Sequence, residues 1–226
     1  TIAGHRPPKI DVMLHSRAAR NNGLVSWAPQ RMELYTYGQS DGDCVPWMTH
    51  LIAHEYRHAV QTSTINQGFS KFLYILFGEQ AIGAVLGVYV PLWMLEGDAV
   101  VSETALTEGG RGRMGDFEQE MRALAMSNNT PTYDQAYLGS YKRRIPTYYN
   151  MGYLITSYAK LKYNERVWDN ALQKVGRQSF SFTPFNRSLR HDTGSRKVAL
   201  YKEKLSMISA LKAMYKGREQ YLKDRH

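Results

Sequence analysis

The stretch LIAHEYRHAV, residues 51–60, places two histidines four positions apart, with a glutamate directly after the first. In an α-helix, residues four apart lie on one face, so His54 and His58 can direct both imidazoles at one metal ion. Glu55 is rotated beside them, where its carboxylate can act as a general base on a water molecule. The pattern predicts a helix that carries two metal ligands and a base.

His50 extends this stripe by one helical turn and is an alternative ligand. We favour His54 and His58, because only this pair places a glutamate in the position of the base. Zn²⁺ is the expected cofactor. Catalytic zinc takes three protein ligands and keeps a position for water, so a third ligand must come from elsewhere in the chain.

The length of 226 residues suits one domain, residues 1–226, with a sizeable core. Residues 9–37 alternate apolar and polar side chains between turn-forming residues, which predicts three short strands arranged as a meander. In this interpretation NNG, residues 21–23, separates the first two strands. Residues 45–222 are mainly helical, with helices expected over 45–66, 91–107, 115–127, 147–163, 165–176 and 195–222.

The predicted fold class is therefore α+β, a small amino-terminal sheet followed by a mainly helical body that carries the motif helix. Asp43 is a candidate cap for that helix. The single Cys44 excludes a disulfide within the chain. Because the sequence begins at Thr1 rather than Met, we expect a mature or excised portion of a longer protein.

Residues 72–90, FLYILFGEQAIGAVLGVYV, are long and apolar enough to cross a bilayer. A carboxylate near the middle, Glu79, is costly in lipid and opposes that interpretation. If the flanking segments share one metal site, both ends must also lie on the same side of any membrane. We expect a buried, glycine-rich segment against the core or a wall of a cleft, and contact with a membrane surface stays an alternative.

The formal charge is +9, from 29 basic and 20 acidic residues, and the excess is concentrated in the second half. There the basic residues alternate with apolar ones at helical spacing, which is typical of a solvated helix face. We therefore expect no nucleic-acid partner. Binding of nucleic acid or lipid through this half is a weaker alternative.

Residues 91–104, PLWMLEGDAVVSET, resemble the W-x-x-E-G-x-A-x-x-x-E pattern of the gluzincin metallopeptidases, the class that includes leucyl and alanyl aminopeptidases. The resemblance implies that Glu96 is the third zinc ligand. It also implies that Glu103, seven positions later, hydrogen-bonds a ligand histidine. Such a carboxylate fixes the imidazole tautomer and raises its basicity.

A second resemblance lies in IPTYYNMGY, residues 145–153, which is similar to the Y-x-x-G segment of those aminopeptidases. It implies that Tyr149 stabilises the tetrahedral intermediate, since a phenol can donate a hydrogen bond to a developing oxyanion. Tyr148 and Tyr153 are competing candidates for the same role.

The chain departs from the aminopeptidases in two respects. His58 and Glu96 are 38 positions apart, and no G-x-M-E-N-like strand precedes the motif helix. The longer phrase WMLEGDAVVSETALTEGGRGR resembles the gluzincin-like domains that precede TolB-type β-propellers in Bacteroidetes envelope proteins. That resemblance implies a periplasmic, outer-membrane-associated or extracellular location, and a possible carboxy-terminal β-propeller in the full-length chain.

GGRGRMGDF, residues 109–117, places Arg111 and Arg113 in a glycine-rich turn. A solvated turn is one interpretation, and a basic rim that binds a substrate carboxylate through an arginine fork is the other. Asp98 lies two residues after Glu96 and faces elsewhere on the helix, so we expect it to make a structural hydrogen bond.

Together these patterns predict a zinc metallopeptidase that hydrolyses peptide or protein substrates. His54, His58 and Glu96 bind zinc, Glu55 is the general base, and Tyr149 assists. The alternative is a catalytically inactive gluzincin-like scaffold or protein-interaction domain of a bacterial envelope protein.

Overall fold

The computed structural model describes residues 9–19, 21–37, 47–127 and 129–223, without the side chains of Asn21 and residues 211–223. The strands are β1 (Asp11–His15), β2 (Asn21–Trp27) and β3 (Gln30–Thr36). The helices are α1 (Trp47–Ile65), α2 (Gly68–Phe77), α3 (Glu79–Tyr89), α4 (Leu92–Leu106), α5 (Gly115–Met126), α6 (Tyr133–Leu138), α7 (Tyr148–Lys162), α8 (Val167–Arg177), α9 (Pro184–Thr193) and α10 (Lys197–Lys223), and a short 3₁₀-helix covers Arg111–Arg113. The predicted α+β class is confirmed.

The sheet has the order β1-β3-β2, so the predicted meander is wrong. β2 and β3 form an antiparallel hairpin, in which Leu24 lies opposite Glu33. β1 pairs in parallel with the other edge of β3, with Leu14 opposite Leu34. The two-residue connection fixes β2 beside β3, and β1 occupies the far edge of β3 rather than the free edge of β2. The NNG segment is part of β2 rather than a separate turn.

The helical body is built around α4, which packs against α1 on one side and α7 on the other. The indole rings of Trp93 in α4 and Trp168 in α8 meet edge to face, with ring centroids 5.8 Å apart. Both side chains are fully buried. Aromatic pairs in this geometry contribute more stability than their buried area alone would give. This contact therefore helps to hold α8 against the central helix.

Helices α4 and α7 approach closely because a glycine lies on each side of their contact. A Cβ atom on Gly97 would lie 2.2 Å from the carbonyl carbon of Gly152, and one on Gly152 would lie 2.0 Å from the carbonyl oxygen of Trp93. These distances leave no space for any side chain at either position.

Residues 72–90 form parts of two helices that break at Gly78, whose φ is 69°. Helix α3 agrees with the expected apolar wall, since Ala81, Ile82 and Val85 are buried. Helix α2 does not, because Phe72, Ile75, Leu76 and Phe77 are exposed. Within the described residues no single helix has the length and apolar composition of a membrane span. The pair α3 and α4 reaches that length and composition only jointly, across a bend of 101°.

The predicted helices coincide with α1, α4, α5, α7, α8 and α10 to within two residues wherever the structure describes them. Two further helices, α6 and α9, lie between the predicted ones. Thr132 and Gln135 form a capping box that starts α6, and Pro184 occupies the first turn of α9. Asp43 and Cys44 lie outside the described residues.

The close contact of α4 and α7 predicts that Gly152→Ala lowers the free energy of unfolding by about 1–3 kcal/mol, because the added methyl group overpacks the interface. Gly87→Ala is the matched control. Its Cβ would meet nothing within 4 Å, and alanine is favoured over glycine in a helix by up to about 1 kcal/mol. Urea unfolding followed by circular dichroism measures both. Equal effects of the two substitutions would contradict the packing argument.

Candidate metal centre

Three ligand atoms from α1 and α4 converge on one point. His54 Nε2 lies 3.2 Å from His58 Nε2 and 3.1 Å from Glu96 Oε2. His58 Nε2 lies 3.3 Å from the same carboxylate oxygen. These residues form a group that can hold a metal ion. The side chains expected to bind metal are therefore brought together, although 38 positions separate His58 from Glu96.

The hydrogen bonds of the two imidazoles define their tautomers. His54 Nδ1 lies 2.9 Å from Glu103 Oε2, and His58 Nδ1 lies 2.9 Å from Gln61 Oε1. Gln61 Oε1 only accepts, so His58 Nδ1 carries the proton and donates it. We assign the same tautomer to His54, whose Nδ1 faces the Glu103 carboxylate and also lies 2.8 Å from Arg111 Nη2. In the neutral imidazoles, both Nε2 lone pairs then point at each other and at the Glu96 carboxylate. A bound cation can accept all three of these lone pairs.

The pKa shifts of His58 and Glu96 show how strongly these groups interact. Burial alone would lower the pKa of His58, but the adjacent Glu96 carboxylate favours the protonated form and raises it overall. Burial alone would raise the pKa of Glu96, but the neighbouring His54 and His58 imidazoles hold it well below its usual range. Glu96 is therefore ionised at neutral pH, and its charge is directed at the two imidazoles.

Glu103 is held by the turn that follows α4. The Arg111 Nε donates to Glu103 Oε1 at 2.8 Å, and Arg111 Nη2 donates to Oε2 at 2.9 Å. The backbone N–H of Arg111 also donates to Oε1. Burial alone would raise the pKa of Glu103, but the hydrogen bonds from Arg111 and His54 lower it to about 2. Glu103 thus stays charged and orients His54.

Arg111 accordingly has a partner within the protein, and its guanidinium also lies over the Tyr149 ring, 5.3 Å from the centroid. Sequence reasoning missed this pairing with Glu103. Arg113 is exposed and donates to the carbonyl oxygen of Thr104. Contact of either arginine with a substrate carboxylate stays a prediction.

Glu55 lies on α1 against the edge strand β2. A Cβ atom on Gly23 would lie 2.8 Å from Glu55 Cγ and 3.0 Å from Glu55 Oε1. Gly23 therefore leaves the space that the glutamate side chain occupies. Burial raises the pKa of Glu55, and the neighbouring charges of His58 and His54 oppose part of the rise. The carboxylate lines the same cleft as the three ligands.

Of the three candidate tyrosines, the structure brings Tyr149 to the metal centre. Its ring stacks on that of His54 with centroids 6.5 Å apart, and it lines the cleft. Burial raises the pKa of Tyr149, and the Glu96 carboxylate raises it further. Tyr148 packs against the core, and the Tyr153 hydroxyl points at Gly112.

The structure also places His50, the alternative ligand, and Asp98, the expected structural residue. His50 lines the cleft but lies outside the group of three ligands. Asp98 is fully buried and is structural, because it accepts from Arg57 Nε at 2.6 Å and forms an ion pair with Lys160 at 2.7 Å. Gln61 links this network to the metal centre, since its amide donates to Asp98 while its oxygen accepts from His58.

The cleft has a volume of about 940 Å³. Its walls come from β2, α1, α3 and α4, and they are largely apolar away from the metal centre. The apolar lining residues include Leu24, Val25, Trp27, Trp47, Leu51, Leu86, Val90, Leu92 and Leu95.

Comparisons of the chain with protein-family models, with curated proteins and with solved structures found no match. The interpretation of the site therefore depends on its own geometry.

The three-ligand geometry predicts that His58→Ala weakens binding of zinc to the metal-free protein by more than roughly 100-fold, since loss of a ligand exceeds the loss of a supporting group. His50→Ala is the matched control. His50 lies about two turns before His58 in the same helix, and its substitution should leave zinc affinity unchanged. Competition with a chromophoric chelator measures both affinities. Equal weakening by the two substitutions would show that the ligand set is wrong.

The pairing of Arg111 with Glu103 predicts that Arg111→Ala weakens zinc binding by about 10- to 100-fold, because it leaves the carboxylate that orients His54 without its partner. Arg113→Ala removes a neighbouring, exposed arginine and should leave zinc affinity unchanged. The same chelator competition compares them. If Arg111→Ala had no effect, Glu103 would not depend on the arginine.

Proposed function

We propose that this protein is a zinc-dependent metallopeptidase. The observation that supports this most is the convergence of two imidazole Nε2 atoms and one carboxylate oxygen beside the buried carboxylate of Glu55, at the wall of an open cleft. The resemblance of residues 91–104 and 145–153 to the gluzincins agrees with this reaction type.

The spacing of the ligand atoms favours zinc. Zinc bonds of about 2.0–2.1 Å in a tetrahedral site separate the ligand atoms by about 3.3–3.4 Å. The three separations between the ligands here are 3.1, 3.2 and 3.3 Å. Three protein ligands of the His-His-Glu type leave the fourth tetrahedral position for water or substrate, as catalytic zinc requires.

A bound zinc ion supplies Lewis acidity, which polarises a carbonyl group and lowers the pKa of water. Glu55 then accepts a proton from the water molecule as the water oxygen bonds to the carbonyl carbon of the peptide. The same carboxyl group passes that proton to the amide nitrogen as the C–N bond breaks. The raised pKa of Glu55 suits the first transfer, because a stronger base accepts the proton more readily.

Tyr149 donates a hydrogen bond to the oxyanion that develops on the carbonyl oxygen. Its raised pKa keeps the phenol protonated at neutral pH, so the donor hydrogen is present. Arg111 lies over the ring and Tyr148 stacks on it at 5.0 Å between centroids, which limits its movement.

The cleft suits the interior of a peptide with apolar side chains. Among its described lining residues the carboxylates are Glu55, Glu96 and Glu103 and the one arginine is Arg111. All four have roles at the metal centre, which leaves none of them to hold a terminal amine or carboxylate. β2 is also an edge strand, and an extended peptide can pair with the free edge of a sheet.

This function predicts zinc-dependent cleavage of internally quenched peptides with apolar residues on both sides of the cut. Glu55→Gln should lower kcat by at least about 100-fold, because it removes the general base, while zinc stoichiometry stays unchanged. Cleavage is followed by fluorescence and the cut site by mass spectrometry. Zinc-loaded protein that cleaves no peptide beyond the Glu55→Gln background would contradict the proposal and favour a non-catalytic scaffold.

Tyr149→Phe should lower kcat by roughly 100- to 1,000-fold with a smaller change in KM, as for the loss of an oxyanion donor. Tyr148→Phe is the matched control on the adjacent position and should retain nearly full activity. Steady-state kinetics with one cleaved peptide compares the two. Similar losses for both variants would assign the effect to packing of the tyrosine pair.

A further inference from the structure

Helix α2 exposes large apolar side chains on its outer side, although Leu73 and Tyr74 already pack against the core on its inner side. Its one fully buried side chain is Ser70, whose hydroxyl lies 3.0 Å from that of Ser179. Its outward side is apolar: Phe72 is 52% exposed, Ile75 70%, Leu76 56% and Phe77 66%. Residues 72, 75 and 76 share one helix face, so these side chains form a continuous apolar surface.

The segment between α8 and α9 extends this surface. Phe180 is 69% exposed and Phe182 is 99% exposed. Phe69 joins the two segments, since its ring centroid lies 5.6 Å from that of Phe180 and 5.8 Å from that of Phe72. We call the exposed set the aromatic patch; it comprises Phe72, Ile75, Leu76, Phe77, Phe180 and Phe182.

The two segments that carry the aromatic patch contain cations but no acidic residue. No aspartate or glutamate occurs between residues 56 and 78, or between residues 170 and 191. The basic residues there include Lys71, Lys174, Arg177, Arg187 and Arg190. Among the described residues, none of these five forms an ion pair with a carboxylate of the protein. An anionic surface is the complement of this arrangement.

We propose that the aromatic patch and its cations bind the surface of a membrane that contains anionic lipids. The ten residues of α2 extend about 15 Å, half of the hydrocarbon thickness of about 30 Å, so α2 lies along the interface. Phenylalanine and aliphatic side chains enter the boundary of the acyl chains, and the lysine and arginines contact lipid phosphates.

Two kinds of attraction are required for stable binding at a membrane surface, because a small apolar contact alone is reversible and weak. The aromatic patch supplies the apolar contact, and the unpaired cations supply the electrostatic attraction. This inference does not depend on the metal centre, so its test is independent of the proposed peptidase activity.

The test is flotation of the whole chain with vesicles of phosphatidylcholine alone or mixed with phosphatidylglycerol. We expect binding to the mixed vesicles and much weaker binding to the neutral ones. Phe180→Ser combined with Phe182→Ser should weaken binding by at least about 10-fold, since two large apolar side chains no longer enter the interface. Leu138→Ser combined with Leu161→Ser is the matched control, because both leucines are highly exposed elsewhere.

The charge component is tested by Lys71→Glu combined with Arg187→Glu. Each cation near an anionic surface contributes about a fivefold factor in affinity, so the pair should weaken binding by about 25-fold or more. Lys142→Glu combined with Arg166→Glu makes the same change of net charge at two exposed positions outside the patch, and should have a much smaller effect.

Three results would overturn the proposal. The first is no binding to anionic vesicles at low salt, and the second is equal binding to neutral and anionic vesicles. The third is equal behaviour of the patch variants and their controls. Circular dichroism of every variant ensures that a loss of binding does not reflect unfolding. Self-association that disappears in the Phe180→Ser, Phe182→Ser variant, without vesicle binding, would instead assign the patch to a second copy of the chain.

Discussion

Two imidazole nitrogens and one carboxylate oxygen, each with a lone pair directed at the others, lie within 3.3 Å of one another at the wall of the cleft. With both imidazoles neutral and no cation between them such a group is unfavourable, because electron lone pairs repel each other and lie buried without a donor. The arrangement is nevertheless held in place by hydrogen bonds of the imidazole Nδ1 atoms, in which Glu103 accepts from His54 and Gln61 accepts from His58. The surrounding helices therefore hold these three atoms at distances from which they could bind a metal ion.

The packing of the helical body serves this geometry. Gly97 directly follows Glu96, and Gly152 lies one helical turn after Tyr149, so the contact of these glycines brings the phenol beside the carboxylate. The turn after α4 returns to place Arg111 on Glu103. On the other side of α1, Gly23 of the edge strand leaves the space for Glu55. Each glycine thus permits a close approach that positions a charged or polar group.

The parts predicted from sequence are those with a strong local pattern. The bounds of α1, α4 and α7 follow from apolar periodicity, and the shared face of His54 and His58 follows from helical spacing. Glu96 and Tyr149 were found through resemblance, since spacing cannot show that residues 38 or more positions apart meet. The position of β1 was missed because pairing at a sheet edge is decided by tertiary contacts. The break at Gly78 was missed because a continuous apolar run has no period. Gln61 could have been predicted from sequence, because it lies three residues after His58 and therefore on the same face of α1.

An anomalous difference map from crystals of the zinc-loaded protein, recorded at the zinc absorption edge, tests the central claim most directly. The account predicts one strong peak within about 2.0–2.2 Å of His54 Nε2, His58 Nε2 and a carboxylate oxygen of Glu96. A peak at a site that excludes Glu96, or a peak bound by His50 in place of either histidine, would contradict it. The absence of a peak at these three residues in zinc-saturated crystals would contradict it as well.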